Sequence, residues 1–237
     1  MGGAERPVAA GVPAPSPADR DFLSDPAAIL VPMTALDLLL PPVCSGCGLS
    51  GTACCATCLD GFGPPTRLQV PGVAPPVWTL ATYNGAAREL VLAFKERSAR
   101  ALSAWFGAMV AVALVAVGPP PWTIVPAPSR RSAARDRGGD HMVRIAREVD
   151  VAAVAPVLRL GPGVADSVGL SAGARRRNLA GRVEVVGRPP PGTVVLLDDV
   201  ITTGATAAAC VRALRAAGVR TNAVLALTSA RPHRPGD

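Results

Sequence analysis

Two short segments hold the residues whose types and spacing could do chemistry. The first is VVLLDDVITTGAT, Val194 to Thr206. Its apolar run Val194–Leu197 reads as a strand buried on both faces. That strand delivers Asp198 and Asp199 to its carboxyl end, where open α/β sheets bind ligands. Thr202-Thr203-Gly204-Ala205-Thr206 then opens a helix. Backbone N–H groups at a helix start lack intrahelical acceptors and lie in a positive dipole field. Three threonine hydroxyls add donors, and Gly204 lets a ligand approach the backbone closely. Such a loop suits a phosphate monoester. The two carboxylates beside it suit the hydroxyls of a sugar, or a cation bridged through water. A phosphate cradle next to a diol-binding acidic pair describes a 5-phosphoribosyl group. An ordinary capped helix is the alternative, but it would leave two like charges at the sheet edge without purpose. The chain has no G-x4-G-K-[ST] pattern, so the cradle is not a P-loop.

The second segment is PVCSGCGLSGTACCATCLDGF, which holds five of the six cysteines. Cys44-x2-Cys47 and Cys55-x2-Cys58 form two facing knuckles whose four thiolates match the tetrahedral set of a structural Zn²⁺. Gly46 and Gly48 let the first knuckle turn tightly. Cys54 offers a C-x3-C alternative to Cys55, and Cys55 is preferred because it repeats the first spacing. A disulfide framework would need a secreted chain, and the N-terminus lacks the basic patch and apolar run of a secretory signal. Cys210 stands alone in an apolar helix and reads as a small core residue.

The elements around these segments alternate. Residues 1–32 read as a disordered tail rich in Ala, Pro and Gly. A zinc-knuckle module follows at 33–63, led by a short helix Thr34–Leu40. Gly61–Pro76 is a connector. An α/β domain occupies 77–230, with strands expected at Val77–Tyr83, Thr123–Val125, within Val151–Leu158, at Thr193–Leu197 and at Thr221–Leu227. Helices are expected at Ala86–Lys95, Ala101–Val117, Asp140–Val149 and Ala205–Ala217, the last capped by Gly218. This order predicts a parallel sheet with helices on both faces. The run Ala101–Val117 is shorter than a membrane span wants, so no membrane partner and a cytoplasmic location are expected. The net charge is +7, and Lys95 is the only lysine. Arginine suits bidentate capture of phosphate, although a GC-rich genome would enrich it as well. The charge implies attraction to anionic ligands.

Several motifs, in order, resemble a known family. VVLLDDVITTGAT resembles the signature of type I phosphoribosyltransferases. Over roughly residues 33–230 the chain resembles the ComF family of competence-associated proteins. The knuckles after Leu38-Leu39-Leu40-Pro41-Pro42 resemble that family's N-terminal finger. Val125-Pro126-Ala127-Pro128 with Ser129-Arg130-Arg131 resembles its "PVP" loop, and Arg135-Asp136-Arg137-Gly138 the stretch just after. Gly169-Leu170-Ser171 with Arg175-Arg176-Arg177-Asn178-Leu179 resembles its "GLS…RRRNL" segment. The resemblance implies a type I phosphoribosyltransferase-like fold. It implies that Asp198 and Asp199 take the ribose hydroxyls and that Thr202, Thr203, Gly204, Ala205 and Thr206 hold the 5-phosphate. The loop Ala127, Pro128, Ser129, Arg130 would approach the pyrophosphate, with Mg²⁺ arriving on phosphoribosyl diphosphate. Arg175, Arg176 and Arg177 would belong to a mobile hood, or to a solvated helical face. Gly139-Asp140-His141 stands where family members carry an aromatic-Asn-Gln triplet, and Ser167 where many carry Gln. His141 is either a site contact or a surface residue. Thr202 stands where purine salvage enzymes of this fold use Asp, which argues against purine salvage.

Two functions compete. One is a phosphoribosyltransferase acting on phosphoribosyl diphosphate and a nitrogen nucleophile, working by positioning and by stabilising the leaving pyrophosphate. The other is a non-catalytic protein that binds a nucleoside monophosphate or phosphoribosyl group and assists uptake of single-stranded DNA, through DNA or a helicase partner. Single-strand binders offer aromatic platforms, and Trp78, Tyr83, Trp105, Phe106 and Trp122 are as readily explained as core.

Overall fold

A computed structural model describes residues 41–97, 99–129, 140–161, 181–187 and 192–231. All of them fall within one compact unit, Thr34–Asp237. The elements are α1 (Ala56–Leu59), β1 (Thr66–Leu68), β2 (Val77–Thr82), α2 (Gly85–Glu96), α3 (Leu102–Val117), β3 (Trp122–Pro126), α4 (His141–Arg147), β4 (Ala152–Val154), β5 (Leu158–Leu160), β6 (Val183–Val185), β7 (Thr193–Ile201), α5 (Ala205–Ala216) and β8 (Ala223–Ser229). The fold is mixed α/β. Six strands form a sheet in the order β1-β2-β8-β7-β3-β4, and β5 and β6 form a separate antiparallel pair. Only β1 runs antiparallel to its neighbour in the large sheet; the other four pairings are parallel.

The central strands β7 and β8 are apolar almost throughout, as burial on both faces demands. Val195, Leu196, Leu197, Val224 and Leu225 have no measurable exposure. Alternate side chains of β7 serve opposite layers. Val194 and Leu196 pack with Ala207, Cys210 and Leu214 of α5. The other face meets α2, α3 and α4, where Phe94, Phe106 and His141 sit ring against ring at 5.5 and 6.2 Å. Helix α5 ends in paired bonds from Gly218 N–H to Arg215 O and from Val219 N–H to Leu214 O. Gly218 takes φ +77° there, a left-handed stop that suits a residue without Cβ.

Three expectations change. β7 continues past Leu197 to Ile201, because Asp198, Val200 and Ile201 keep pairing with Ala226, Thr228 and Ser229 of β8. The stretch Gly61–Pro76 is more than a connector: Thr66–Leu68 adds an edge strand to β2, and Leu68 and Val70 join the core. The strand within Val151–Leu158 is only Ala152–Val154, and Leu158 instead begins β5. The apolar run at 101–117 is the packed helix α3, and among the described residues no helix is long and apolar enough to cross a membrane. The helix Thr34–Leu40 and the 1–32 stretch lie outside the described residues.

Helix α3 approaches the end of α4 at Gly107. A Cβ there would run into the Glu148 side chain and lie 3.2 Å from its carbonyl carbon. Gly107→Ala should therefore force the two helices apart and lower stability by about 1–3 kcal/mol. Urea denaturation followed by circular dichroism measures it, and an unchanged midpoint would contradict this packing.

Candidate functional site

The chain leaves β3 through α4 toward β4, and leaves β7 through α5 toward β8. These departures run to opposite sides, so a crevice opens between the carboxyl ends of β3 and β7, the place where open parallel sheets take ligands. The loop Ala127, Pro128, Ser129 follows β3 and the loop Thr202, Thr203, Gly204 follows β7. They flank that crevice. Ala127 N–H donates to Leu197 O at 2.8 Å, extending the β3–β7 pairing into the first loop. Ser129 is then fastened twice to Asp140, its N–H and Oγ donating to Oδ2 at 3.1 and 2.6 Å. The other oxygen of Asp140 caps α4, accepting from Met142 N–H at 2.9 Å. One carboxylate thus sets both the loop and the first turn of α4, which carries His141.

Asp198 and Asp199 are both buried. As neighbours on an unbroken strand they leave the sheet on opposite faces. Asp199 turns toward α2 and α4. Its Oδ2 accepts Lys95 Nζ at 2.7 Å and meets His141 Nε2 at 3.0 Å, while its Oδ1 accepts Val200 N–H at 2.7 Å. Burial pushes the Asp199 carboxyl up, but Lys95 and His141 outweigh it and hold the group well below the usual carboxylate range. The same pairing raises Lys95 against the opposing effect of its own burial. Asp198 points to the α5 side. Its Oδ1 accepts Asp199 N–H at 3.0 Å. Burial first, then the adjacent Asp199 charge, push it up to about 7. The two carboxylates are therefore unlike: one locked as an anion, one poised near neutrality.

His141, left open by the sequence as contact or surface, is buried and belongs to this cluster. Its Nδ1 is buried with no hydrogen-bond partner among the described residues. Lys95 was missed by spacing arguments, because its partner lies 104 residues along the chain (199 − 95).

At the opening of α5, Thr202 is exposed and Thr203 and Thr206 are half-buried. Thr203 Oγ1 accepts Ala205 N–H at 3.3 Å, while the N-cap position itself is Gly204, which has no side chain to cap with. Gly204 corrects one expectation. It sits at φ +76°, and an added Cβ would strike Val70 and lie 3.3 Å from Val73. The glycine is needed for its left-handed backbone and for the packing of the 61–76 stretch beneath the loop, and its missing side chain does not point to a ligand space. A branched residue there would damage the loop's support. Arg130 and Arg175, Arg176 and Arg177 lie outside the described residues, as do the 135–139 and 167–179 motifs.

The sulfurs of Cys44, Cys47, Cys55 and Cys58 lie within 4.8 Å of one another. Cys55 Sγ is 3.7 Å from Cys44 Sγ and 3.6 Å from Cys47 Sγ. A tetrahedron with Zn–S bonds of 2.3 Å has an edge of about 3.8 Å, so the set can hold a metal such as zinc. Cys55 N–H points at Cys44 Sγ at 3.3 Å, the outer-shell bond a thiolate wants. Cys54 Sγ lies outside the set, 3.9 Å from Cys55 O. Gly48 takes φ +81°, while Gly46 is required for contact, a Cβ there falling 2.7 Å from Cys58 Sγ.

No family model matches this chain, and no curated protein matches it.

Two outcomes are expected. Elemental analysis should find about one Zn²⁺ per chain, lost in Cys55→Ser and kept in Cys54→Ser; the reverse pattern would move the ligand to Cys54. For Asp198, the ordinary value is 3.8 and the folded value about 7. Between them the folded chain holds a proton that the unfolded chain has released, so stability falls as pH rises through this window, by at most about 1.4 kcal/mol per pH unit. Asp198→Asn should remove that slope and be more stable than wild type above the window. Denaturation midpoints at a series of pH values test it, and an unchanged slope would refute it.

Proposed function

We propose that this protein binds phosphoribosyl diphosphate or a nucleoside 5′-monophosphate at the β3–β7 crevice and is a ComF-type phosphoribosyltransferase of a nitrogen acceptor. One arrangement carries the reading. An acidic pair near the carboxyl end of the central strand is followed, after Val200 and Ile201, by a threonine-rich loop that opens a helix, beside the switch point of the sheet. The first-turn amides of α5 with Thr203 and Thr206 receive the 5-phosphate. The remaining acceptor position of Asp199 takes a ribose hydroxyl. The loop Ala127–Ser129, anchored through Asp140, faces the pyrophosphate with its backbone. Charge on the leaving pyrophosphate would be offset by Mg²⁺ carried on the diphosphate. The protein's own share is to fix the ribose while the bond to pyrophosphate breaks. The cysteine set holds Zn²⁺ as a structural ion.

The aromatic side chains favour this reading over single-stranded DNA as the main ligand. Phe94, Trp105 and Phe106 are core, and Phe62, Trp78, Tyr83 and Trp122 are half-buried. A row of open aromatic faces of the kind base stacking uses is missing among the described residues.

Calorimetry with phosphoribosyl diphosphate, a nucleoside monophosphate and inorganic phosphate separates the parts. Thr206→Ala removes a donor to a charged oxygen and should weaken all three ligands, costing roughly 1.5–3 kcal/mol. Asp199→Asn should weaken the two ribose-bearing ligands and leave inorganic phosphate unchanged or tighter. If wild type binds neither ribose-bearing ligand, the proposal fails.

A further inference from the structure

We infer that Lys95 is the built-in cation of the acid pair: it holds Asp199 as a hydroxyl acceptor and keeps divalent metal off it, so that Mg²⁺ is bound by the ligand's diphosphate alone. The inference rests on the reading of the crevice as a phosphoribosyl site and specifies which part of that ligand the metal can follow.

Adjacent buried carboxylates are by composition a magnesium site, since Mg²⁺ takes one or two carboxylates and keeps several waters. The geometry here does not fit that role. An ionised carboxylate offers about four acceptor positions. Lys95 Nζ and His141 Nε2 occupy two on Oδ2 of Asp199, and Val200 N–H occupies one on Oδ1. One position is left, enough for a hydroxyl donor. A dication at that position would sit beside an ammonium already paired with the same carboxylate at 2.7 Å. The Asp199 side chain is only 10% exposed, so that repulsion is poorly screened. Asp198 does not supply a substitute, because its Oδ1 already accepts Asp199 N–H and its side chain leaves the other face of the strand.

The residue type is informative. Lys95 is the only lysine among the 24 lysines and arginines of the chain. Arginine would bring a planar fork that needs several acceptors. Lysine brings a compact charge on a flexible stem that can meet a single oxygen from the last turn of α2. Its side chain is 37% exposed, so the stem lies at the rim of the crevice with its charge directed inward. Glu96 and Glu89 on the same helix are not its partners; Glu89 pairs with Arg88 and Arg97.

Mn²⁺, a hard dication with a paramagnetic signal, reads the acid pair without any sugar ligand. Zinc-loaded wild type, Lys95→Arg, Lys95→Met and the double variant Lys95→Met/Asp199→Asn are titrated with Mn²⁺ by electron paramagnetic resonance. Wild type and Lys95→Arg should leave the acid pair free of Mn²⁺. Lys95→Met should bind about one equivalent, about tenfold or more tighter than wild type, and the double variant should lose it. Lys95→Gln, of similar length, repeats the test if Lys95→Met is unstable. Wild type that binds Mn²⁺ as tightly as Lys95→Met through Asp199 overturns the inference. So does a folded Lys95→Met or Lys95→Gln that gains no Mn²⁺. In a second arm, wild-type affinity for a nucleoside monophosphate should agree within about twofold with chelator and with millimolar Mg²⁺; dependence on the metal there also overturns it. If wild type binds no such ligand, the phosphoribosyl reading fails while the Mn²⁺ titration still decides the role of Lys95.

Discussion

A carboxylate buried at the end of the central strand cannot stay ionised without partners brought to it from elsewhere in the chain. Asp199 imposes that demand, and much of the architecture answers it. The last turn of α2 must lie where Lys95 reaches Oδ2, and the first turn of α4 where His141 meets the same oxygen. The start of α4 is in turn fixed by Asp140, whose second oxygen holds Ser129 in the loop after β3. Two helices and one loop therefore take their positions around a single negative charge. Asp198, one residue earlier, has no such ion pair among the described residues, and burial with the adjacent Asp199 charge pushes its carboxyl up. One strand end therefore carries a paired, charged carboxylate on one face and a carboxyl raised toward neutral pH on the other.

What was legible in the sequence follows from where the information lies. The alternation of strands and helices, the fully buried strand before Asp198, and the glycine stop after α5 are local signals, and each appears in the structure within a few residues of its expected bounds. The four cysteines were legible because the two C-x2-C spacings fix the partners, and the structure gathers those four sulfurs and leaves Cys54 aside. The misreadings are non-local. The 61–76 stretch reads as connector from its prolines and glycines, yet Val70 is the residue that confines Gly204, across 134 positions of sequence (204 − 70). β7 outruns its apolar stretch because β8 continues beside it and supplies pairing to residues whose side chains give no strand signal. His141 carries no periodic signal of its role, since one histidine at a helix start fits several environments. Lys95 had one usable signal, its chemical type: a lone ammonium in a chain of guanidiniums.

The aromatic residues show how a sparse resource was placed. Phe62, Phe106 and Phe94 form a run of edge contacts at 5.9 and 5.5 Å, and Phe94 passes to His141 at 6.2 Å. This run fills the space between the knuckle module, α2, α3 and the site histidine. Edge-on rings next to an imidazole exclude water from the side of Asp199 that faces the helices, which strengthens the Lys95 and His141 pairing by lowering the local dielectric.

Helix α2 touches both chemical centres. Near its start, Ala87 lies 3.8 Å from the position a Cβ at Gly61 would take, and Leu90 lies 3.5 Å from that of Gly46, between two knuckle cysteines. At its end it presents Lys95 to Asp199. The helix is thus a ruler with a mark at each end. Its outward side chains can vary freely, but its length cannot. One residue gained or lost between Leu90 and Lys95 would swing the ammonium about 100° around the axis and shift it about 1.5 Å along it, taking it off the carboxylate while the knuckle end stayed in place. Among sequences that share this architecture, the interval from the knuckle contact to the lysine should be the part of the helix that tolerates no insertion.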